Sequence, residues 1–268
     1  MKQPDHLLNL LRAMPKVELH CHLLGTVRKD TFERLARRAG APLTSADIES
    51  FYTRGEKPVG VLRVLRALDS QLLKSADDLY QITGEYLEDA ASHGVRYAEF
   101  FWNPTGTVRD SKIAYADAQD AIVRAIHDAQ IDHGIIGRLI PSIDREAEPA
   151  AAVEMVAWVK ARRRDEVPGI GIDYREVDRP PELFVDAYRA ARKAGLKTTA
   201  HAGEFGMPWP NVATALDVLR VDRIDHGYTV LENPDLVKRC VERGILFTVV
   251  PTNSYYLRTL APDRWANW

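Results

Sequence analysis

The stretch VELHCH, residues 17–22, predicts a short β-strand that ends in two histidines. It is followed by RKDTFERLARRAG, residues 28–40, a helical pattern that ends on a glycine. The same order, a β-rich run and then a helical pattern, recurs along the chain. Because strand–helix units joined by short connections build a parallel sheet with crossover helices, this stretch and those that follow predict an α/β fold.

Seven such strands are predicted, and they begin near residues 17, 95, 135, 169, 197, 223 and 245. A TIM-type (β/α)8 barrel needs eight strands, each followed by a helix. We therefore expect residues 1–268 to form a single barrel domain that lacks its last strand and helix in this chain. An open barrel exposes strand edges and apolar core. We accordingly expect the chain to be a fragment of a longer protein, or to need a partner that closes the barrel.

A long insertion, about residues 41–75, separates the first predicted helix from the second predicted strand. Barrel enzymes carry their active sites at the carboxyl ends of the strands, where the longer loops gather. We expect this insertion to lie over that face as a lid or as a wall of the pocket.

Composition and charge exclude several classes of protein. The 268 residues include 36 basic and 38 acidic side chains, a net charge of −2, so no nucleic-acid partner is expected. No apolar run approaches the ~18 residues of a membrane span, and the N-terminus lacks the apolar core of a signal peptide. Cys21 and Cys240 predict no disulfide framework. We expect a cytoplasmic protein without a membrane partner.

His20 and His22 are the first candidates for chemistry. On a strand, residues i and i+2 point to the same side, roughly 6.6 Å apart along the chain, so two imidazoles can converge on one metal ion. The end of a barrel's first strand is also where such enzymes place functional groups. The motif alone is equally compatible with one histidine that caps the strand and another that packs in the core.

Two further motifs end the fifth and sixth predicted strands. His201-Ala202-Gly203-Glu204 offers a third nitrogen ligand and, in Glu204, a carboxyl group that could act as a general acid or base. In Asp225-His226-Gly227, His226 could hold a metal-bound water or take its proton. Taken singly, these motifs also fit a turn with a solvated glutamate and a buried structural histidine. Together they place four of the eight histidines at the ends of three strands, and three nitrogens plus water suit zinc.

The ordered set of motifs resembles the adenosine and adenine deaminase family of metal-dependent hydrolases. The resemblance is collinear over essentially the whole chain and rests on PKVELHCHLLGTV (15–27), GIDYREVDRPPELF (171–184), TTAHAGE (198–204), RIDHGYTVLENPDL (223–236) and FTVVPTNSYYL (247–257). It implies a zinc-dependent hydrolytic deaminase that releases ammonia from the 6-amino group of adenosine, adenine or a related adenine nucleoside. The implied partner is this small-molecule purine, and assembly as a homo-oligomer stays open.

The resemblance also implies a role for individual residues. One zinc ion per chain would be bound by His20, His22 and His201. Glu204 would protonate the purine ring nitrogen beside the attacked carbon, and His226 would orient and deprotonate the attacking water. The backbone N–H of Gly171 would contact another ring nitrogen of the substrate.

The sequence departs from the family pattern at two places. Adenosine-specific members carry an acidic residue that reaches the sugar hydroxyl where this chain has Leu24. Leucine cannot accept that hydrogen bond, so the free base, or a nucleoside with an apolar 5′ substituent, becomes a candidate substrate. The family's eighth strand carries an Asp-Asp pair whose first member completes the zinc site, and this chain ends before that strand.

Two alternative functions stay open. Another metal-dependent hydrolase on the same barrel would cleave an amide or a phosphoester, usually with a carboxylated lysine on a middle strand, but the predicted strand ends near residues 143 and 174 offer no lysine. A truncated barrel that binds zinc or purine without turnover is favoured by the absence of the Asp-Asp pair. Ammonia release from a panel of purines, with and without a chelator, separates the three functions.

Overall fold

Seven parallel β-strands form one sheet in sequence order, and helices connect them. The structure is a computed structural model that describes residues 5–53, 60–252 and 254. The strands are β1 Lys16–His22, β2 Val95–Trp102, β3 Ile136–Asp144, β4 Gly169–Asp173, β5 Lys197–Ala202, β6 Arg223–His226 and β7 Leu246–Thr248. Each predicted strand is present, and six pairings between neighbouring strands are all parallel.

Eleven α-helices lie in the described residues: α1 Asp5–Ala13, α2 Lys29–Ala39, α3 Ser45–Tyr52, α4 Gly60–Ala67, α5 Ala76–Ser92, α6 Pro104–Arg109, α7 Tyr115–His133, α8 Pro149–Ala161, α9 Val185–Lys193, α10 Trp209–Thr214 and α11 Pro234–Glu242. Helices α2 and α7 end where the sequence predicts, because Gly40 (φ 60°) and Gly134 (φ 66°) adopt the left-handed conformation that closes a helix. Short π-helical segments extend α4 over Leu68–Leu72 and α10 over Ala215–Leu219.

The sheet curves into a nearly closed barrel of the TIM type. The strand β4 is buried along its whole length, as expected for a parallel strand covered on both faces. The side chain of His20 on β1 reaches the backbone carbonyl of Thr248 on β7 at 2.9 Å, so the first and seventh strands approach each other. The prediction of an α/β barrel without its eighth unit is therefore confirmed for the part of the chain that the structure describes.

The insertion predicted at 41–75 contains α3, α4 and the π-helical segment Leu68–Leu72, while residues 54–59 lie outside the described residues. Among the helices that the structure describes, none has the length and apolar character that a membrane crossing requires. Both cysteines, Cys21 and Cys240, carry free thiols.

Close contact between β4 and β5 generates a stability prediction at Gly169. A Cβ atom at Gly169 would overlap the backbone carbonyl of Lys197, which cannot move without breaking the strand pair. We expect Gly169→Ala to lower the free energy of unfolding by about 1–3 kcal/mol, the usual cost of overpacking. Urea unfolding measures this change.

The matched control is Gly84→Ala in α5, where an added Cβ meets no atom within 4 Å. Because alanine favours the helix over glycine, this control should stabilise the protein by roughly 0.5–1 kcal/mol. Equal effects of the two substitutions would contradict the close packing described for β4 and β5.

Candidate active site

Four histidines meet in a cavity at the carboxyl ends of the strands, as the sequence predicts. His20 and His22 end β1, His201 lies near the end of β5, and His226 is the last residue of β6. The cavity is also lined by Glu204, in the turn after β5, and by Asp173 at the end of β4. The parallel barrel therefore brings together residues that are more than 200 positions apart in the chain.

Three of the imidazoles converge through the same ring nitrogen. Nε2 of His201 lies 3.1 Å from Nε2 of His20 and 3.1 Å from Nε2 of His22. In a tetrahedral zinc site with Zn–N bonds of 2.0–2.1 Å, neighbouring ligand nitrogens are roughly 3.3 Å apart. Both observed distances are close to that value, so His201 is placed to share one small ion with His20 and with His22.

The other ring nitrogen of each of these histidines faces an oxygen atom. Nδ1 of His20 donates to the carbonyl of Thr248 at 2.9 Å, because a carbonyl can only accept. Nδ1 of His22 lies 3.0 Å from the Asp173 carboxylate, and Nδ1 of His201 lies 3.5 Å from that of Asp225. Such partners orient metal-ligating histidines and leave Nε2 as the unprotonated ligand atom.

Burial favours the neutral form of two of these rings, His20 and His201. Burial lowers the pKa of His20 and lowers that of His201 well below the ordinary histidine value. Neutral rings with Nδ1 protonated would present three lone pairs to the same point. A cation at that point removes the repulsion, and three imidazole nitrogens are a donor set that zinc prefers. The residues therefore fit a zinc ion.

His226 is placed differently from the other three histidines. Its ring nitrogens come within 4.8 Å of those of His20 and His201, so distance alone would admit it as a ligand. However, its Nε2 lies 3.3 Å from the Glu204 carboxyl group and its Nδ1 lies 3.1 Å from the hydroxyl of Tyr228. Both nitrogens already face polar partners, which fits a proton-transfer role better than metal ligation.

Glu204 and His226 form a pair in which both side chains are uncharged. Burial raises the pKa of Glu204 well above its ordinary value, and the nearby Glu176 carboxylate raises it further. Burial lowers the pKa of His226 well below its ordinary value, and His20 and His22 add to this effect. At neutral pH the site thus offers a carboxylic acid that can donate a proton and an imidazole that can accept one.

Backbone strain is concentrated around the same cavity. Tyr174, Phe205 and His226 line it, and all three have positive φ angles of 66°, 52° and 67°. Side-chain-bearing residues rarely adopt this left-handed region, and such strain tends to collect at functional sites. His226 is the last residue of β6, and its strained backbone directs the ring towards Glu204.

Two residues predicted to contact the substrate do not line this cavity. Gly171 lies inside β4, where it pairs with Ser142 and where the Phe101 ring would be 3.0 Å from an added Cβ. Leu24 is buried in the 3-10 turn that follows β1, and its neighbour Gly25 lines the cavity instead. Their roles in substrate binding stay predictions.

Several functional residues are missed by the sequence reasoning. The carboxylates of Asp173 and Asp225 lie beside Nδ1 of His22 and of His201, and the backbone carbonyl of Thr248 accepts from His20. Asp173 could have been found, because it is a carboxylate at the end of a buried strand. Leu62 and Leu65 of α4 also line the cavity, which places the insertion at its rim.

Comparison with known proteins gives the same assignment. The sequence model of the adenosine deaminase family, described as "Adenosine deaminase", matches residues 15–264. The adenine deaminase of Chlorobium luteolum is 36% identical over 254 residues, which cover 92% of this chain and 72% of the relative. The adenine deaminase of Schizosaccharomyces pombe is 35% identical over 263 residues, covering 93% of this chain and 70% of the relative.

Solved structures are similar over the same span. A cog1816 amidohydrolase from Burkholderia ambifaria, crystallised with bound Zn, is 67% identical with a TM-score of 0.95, covering 100% of this chain and 73% of that one. The adenine deaminase from Arthrobacter aurescens is 32% identical with a TM-score of 0.83, covering 94% and 79%. The collinear motifs, the barrel and these matches agree, and the chain belongs to the adenosine deaminase family.

Proposed function

We propose that this protein is a zinc-dependent hydrolase that removes the 6-amino group of an adenine-type purine as ammonia. The observation that carries the proposal is the neutral pair of Glu204 and His226, 3.3 Å apart, beside three converging imidazoles. A hydrolytic deaminase needs both a proton donor for the ring and a proton acceptor for water. Relatives named adenine deaminase, about a third identical to this chain, support the same reaction.

His20, His22 and His201 would hold the metal ion. When bound there, zinc supplies a Lewis acid that lowers the pKa of water. The similar amidohydrolase with bound Zn supports this metal. The neutral state of the rings matters, because a protonated imidazole cannot be a ligand.

Glu204 and His226 would divide the proton transfers between them. Glu204 donates its proton to the ring nitrogen beside C6, which makes that carbon a better electrophile. Nε2 of His226 accepts a proton from water as the water oxygen bonds to C6. His226 then passes its proton to the amino group, the C6–N bond breaks, and ammonia leaves. The hydroxyl at C6 becomes a carbonyl and returns its proton to Glu204, which restores both residues. One water is consumed and one ammonia is released in each turnover.

The charge of the cavity favours an uncharged substrate. Its described lining includes the acidic residue Asp173 and the uncharged carboxyl group of Glu204, but no lysine or arginine. Arg66, which stacks on the cavity residue Tyr174, is already bound to both carboxylate oxygens of Asp144 and to Glu146. The proposed substrate is therefore a purine base or nucleoside, and we expect a nucleotide to bind poorly.

The insertion at 41–75 would act as a wall of this cavity within a single barrel domain. Leu62 and Leu65 contribute apolar surface to the lining. Arg66, on the same helix, binds Asp144 at the end of β3 through two hydrogen bonds of 2.7 and 2.9 Å. Its guanidinium group also lies 3.9 Å from the centre of the Tyr174 ring. These contacts support the view that Arg66 fastens the insertion to the barrel.

We also propose a cytoplasmic location, which the free thiols of Cys21 and Cys240 support. Gly171 and Leu24 would influence the substrate indirectly, through the residues packed between them and the cavity. For Gly171 that residue is Phe101, whose ring contacts His201 with centroids 5.0 Å apart.

Glu204→Gln tests the proton donor. Glutamine has the same shape but cannot donate a carboxylic acid proton, so we expect kcat to fall by about 10²–10⁴-fold, the usual range for a general acid. Ammonia release at neutral pH measures the loss, and zinc content per chain should be unchanged. A variant with full kcat would remove Glu204 from the mechanism.

A substrate panel tests the reaction and the charge of the cavity together. With zinc supplied, we expect ammonia from adenine, adenosine or a 5′-modified adenosine, and at least about tenfold lower kcat/KM for AMP because a buried unpaired charge is costly. A chelator should abolish turnover, and added zinc should restore it. Bound zinc without ammonia from any purine would favour the non-catalytic barrel, and preferred turnover of AMP would contradict the proposed cavity.

Arg66→Lys tests whether the insertion at 41–75 forms a wall of the cavity. Lysine keeps the charge but cannot make the two parallel hydrogen bonds to Asp144, so we expect KM to rise by about 3–10-fold with a smaller change in kcat. Arg63→Lys is the matched control, because Arg63 is exposed on the same helix and faces the Phe51 ring. Steady-state kinetics on the preferred purine would show no difference between the two variants if the insertion has no role in binding.

A further inference from the structure

The turn His201–Glu204 carries a metal ligand and the proton donor, and two buried charged residues hold it from behind. These residues are Arg145, which follows β3, and Glu176, which follows β4. Arg145 is 0% exposed and Glu176 is 2% exposed. Neither lines the cavity, so neither is placed to touch the substrate.

Glu176 binds the second half of the turn. One carboxylate oxygen accepts the backbone N–H of Gly203 at 3.2 Å and the side-chain amide of Asn211 at 2.7 Å. The other oxygen accepts the backbone N–H of Glu204 at 3.1 Å. Two successive amides that point at one anion form a backbone cradle of the kind that fixes a tight turn. Gly203 adopts φ 69° to present its amide in this way.

Arg145 binds the first half of the same turn. Its Nη2 donates to the carbonyl oxygen of His201 at 2.5 Å, and its Nη1 lies 3.9 Å from Glu176. Its own backbone carbonyl accepts from Nε of Arg179 at 2.7 Å. The turn is therefore held at its carbonyl end by a cation and at its amide end by an anion, and the two charges face each other.

Stability alone does not account for this arrangement. Removing two charges from water costs several kcal/mol per ion, and a well-packed apolar pair is often as stable or more so. Nε and Nη1 of Arg145 also lack a hydrogen-bond partner among the described residues, which adds to the cost. A costly buried pair beside a catalytic turn is therefore better explained by what it positions.

We propose that Glu176 and Arg145 are positioning residues for the proton-transfer step, which fix the backbone of Glu204 so that its carboxyl group faces His226 and the purine ring. The inference rests on the proposed function. A general acid must lie within hydrogen-bond reach of its target, and a displacement of about 1 Å can lower the rate about 100-fold. Sequence motifs cannot reveal this pair, because neither residue belongs to the metal or proton-donor motifs.

Glu176→Gln is the test substitution. The amide keeps the size of the side chain but has one accepting oxygen in place of two, so one of the two backbone amides loses its partner. We expect kcat to fall by about 10–100-fold while KM and zinc content stay within about twofold of the original, as for a misplaced acid. The matched control is Glu182→Gln, because Glu182 accepts from Thr214 on the neighbouring helix but does not touch the turn. It should leave kcat unchanged.

Two readouts separate positioning from a general structural role. In a Glu204→Gln background, Glu176→Gln should cause no further loss of kcat, since residues that act as a unit are not additive. Amide hydrogen exchange should become faster at Gly203 and Glu204 in the Glu176→Gln protein, while Ile224 in β6 stays protected. Equal losses of kcat in both backgrounds, or unchanged exchange in the turn, would overturn the proposal.

The exchange measurement also keeps the two proposals distinct. Unaltered protein that releases no ammonia from any purine would count against the proposed function. Amide hydrogen exchange at Gly203 and Glu204 would still show whether Glu176 fixes the turn, because this measurement does not require enzymatic turnover. Loss of zinc in the Glu176→Gln protein would overturn the assignment to proton transfer. It would show that Glu176 positions the metal ligand His201 instead.

Discussion

Nε2 of His201 lies 3.1 Å from Nε2 of His20 and 3.1 Å from Nε2 of His22. Neutral imidazoles at this distance repel one another through their lone pairs unless a cation lies between them. The barrel imposes the approach, since His20 and His22 share one face of β1 and His201 comes from β5. Much of the surrounding structure fixes the orientation of these rings through oxygen atoms on their Nδ1 sides.

Burial in this cavity raises the pKa of an acid and lowers the pKa of a base, and both effects occur in the site. It raises the pKa of Glu204 and lowers the pKa of His226, so each group is uncharged at neutral pH. An uncharged acid beside an uncharged base is what a reaction needs if it protonates a ring and deprotonates water. Burial of the pair is therefore part of the chemistry, and we propose that the insertion that carries Arg66 contributes to it.

Sequence reasoning captured the parts of this arrangement that follow from periodicity. Alternation on β1 placed His20 and His22 on one side, and the rule that barrel strands carry function at their carboxyl ends brought His201, Glu204 and His226 to them. These positions depend only on where each strand ends. The seven strand positions followed in the same way, from β-rich runs separated by helical patterns and glycines.

Contacts that depend on the register between strands could not be predicted in this way. Asp225 approaches His201 because the two residues are partners across β5 and β6, and the sequence does not state that register. Arg145 is fully buried, against the ordinary preference of a charged residue, and no sequence pattern indicates this. Gly171 and Leu24 are not among the residues that line the cavity, and the sequence does not state which motif residues side-chain packing brings to it.

The central claim is that water, activated among these residues, replaces the 6-amino group of a purine. The most direct measurement is turnover of adenine and adenosine in ¹⁸O-labelled water by the zinc-loaded protein, with mass spectrometry of the product. We expect one ¹⁸O atom at C6 of the product for each ammonia released. Ammonia released without ¹⁸O in the product would contradict hydrolysis at C6.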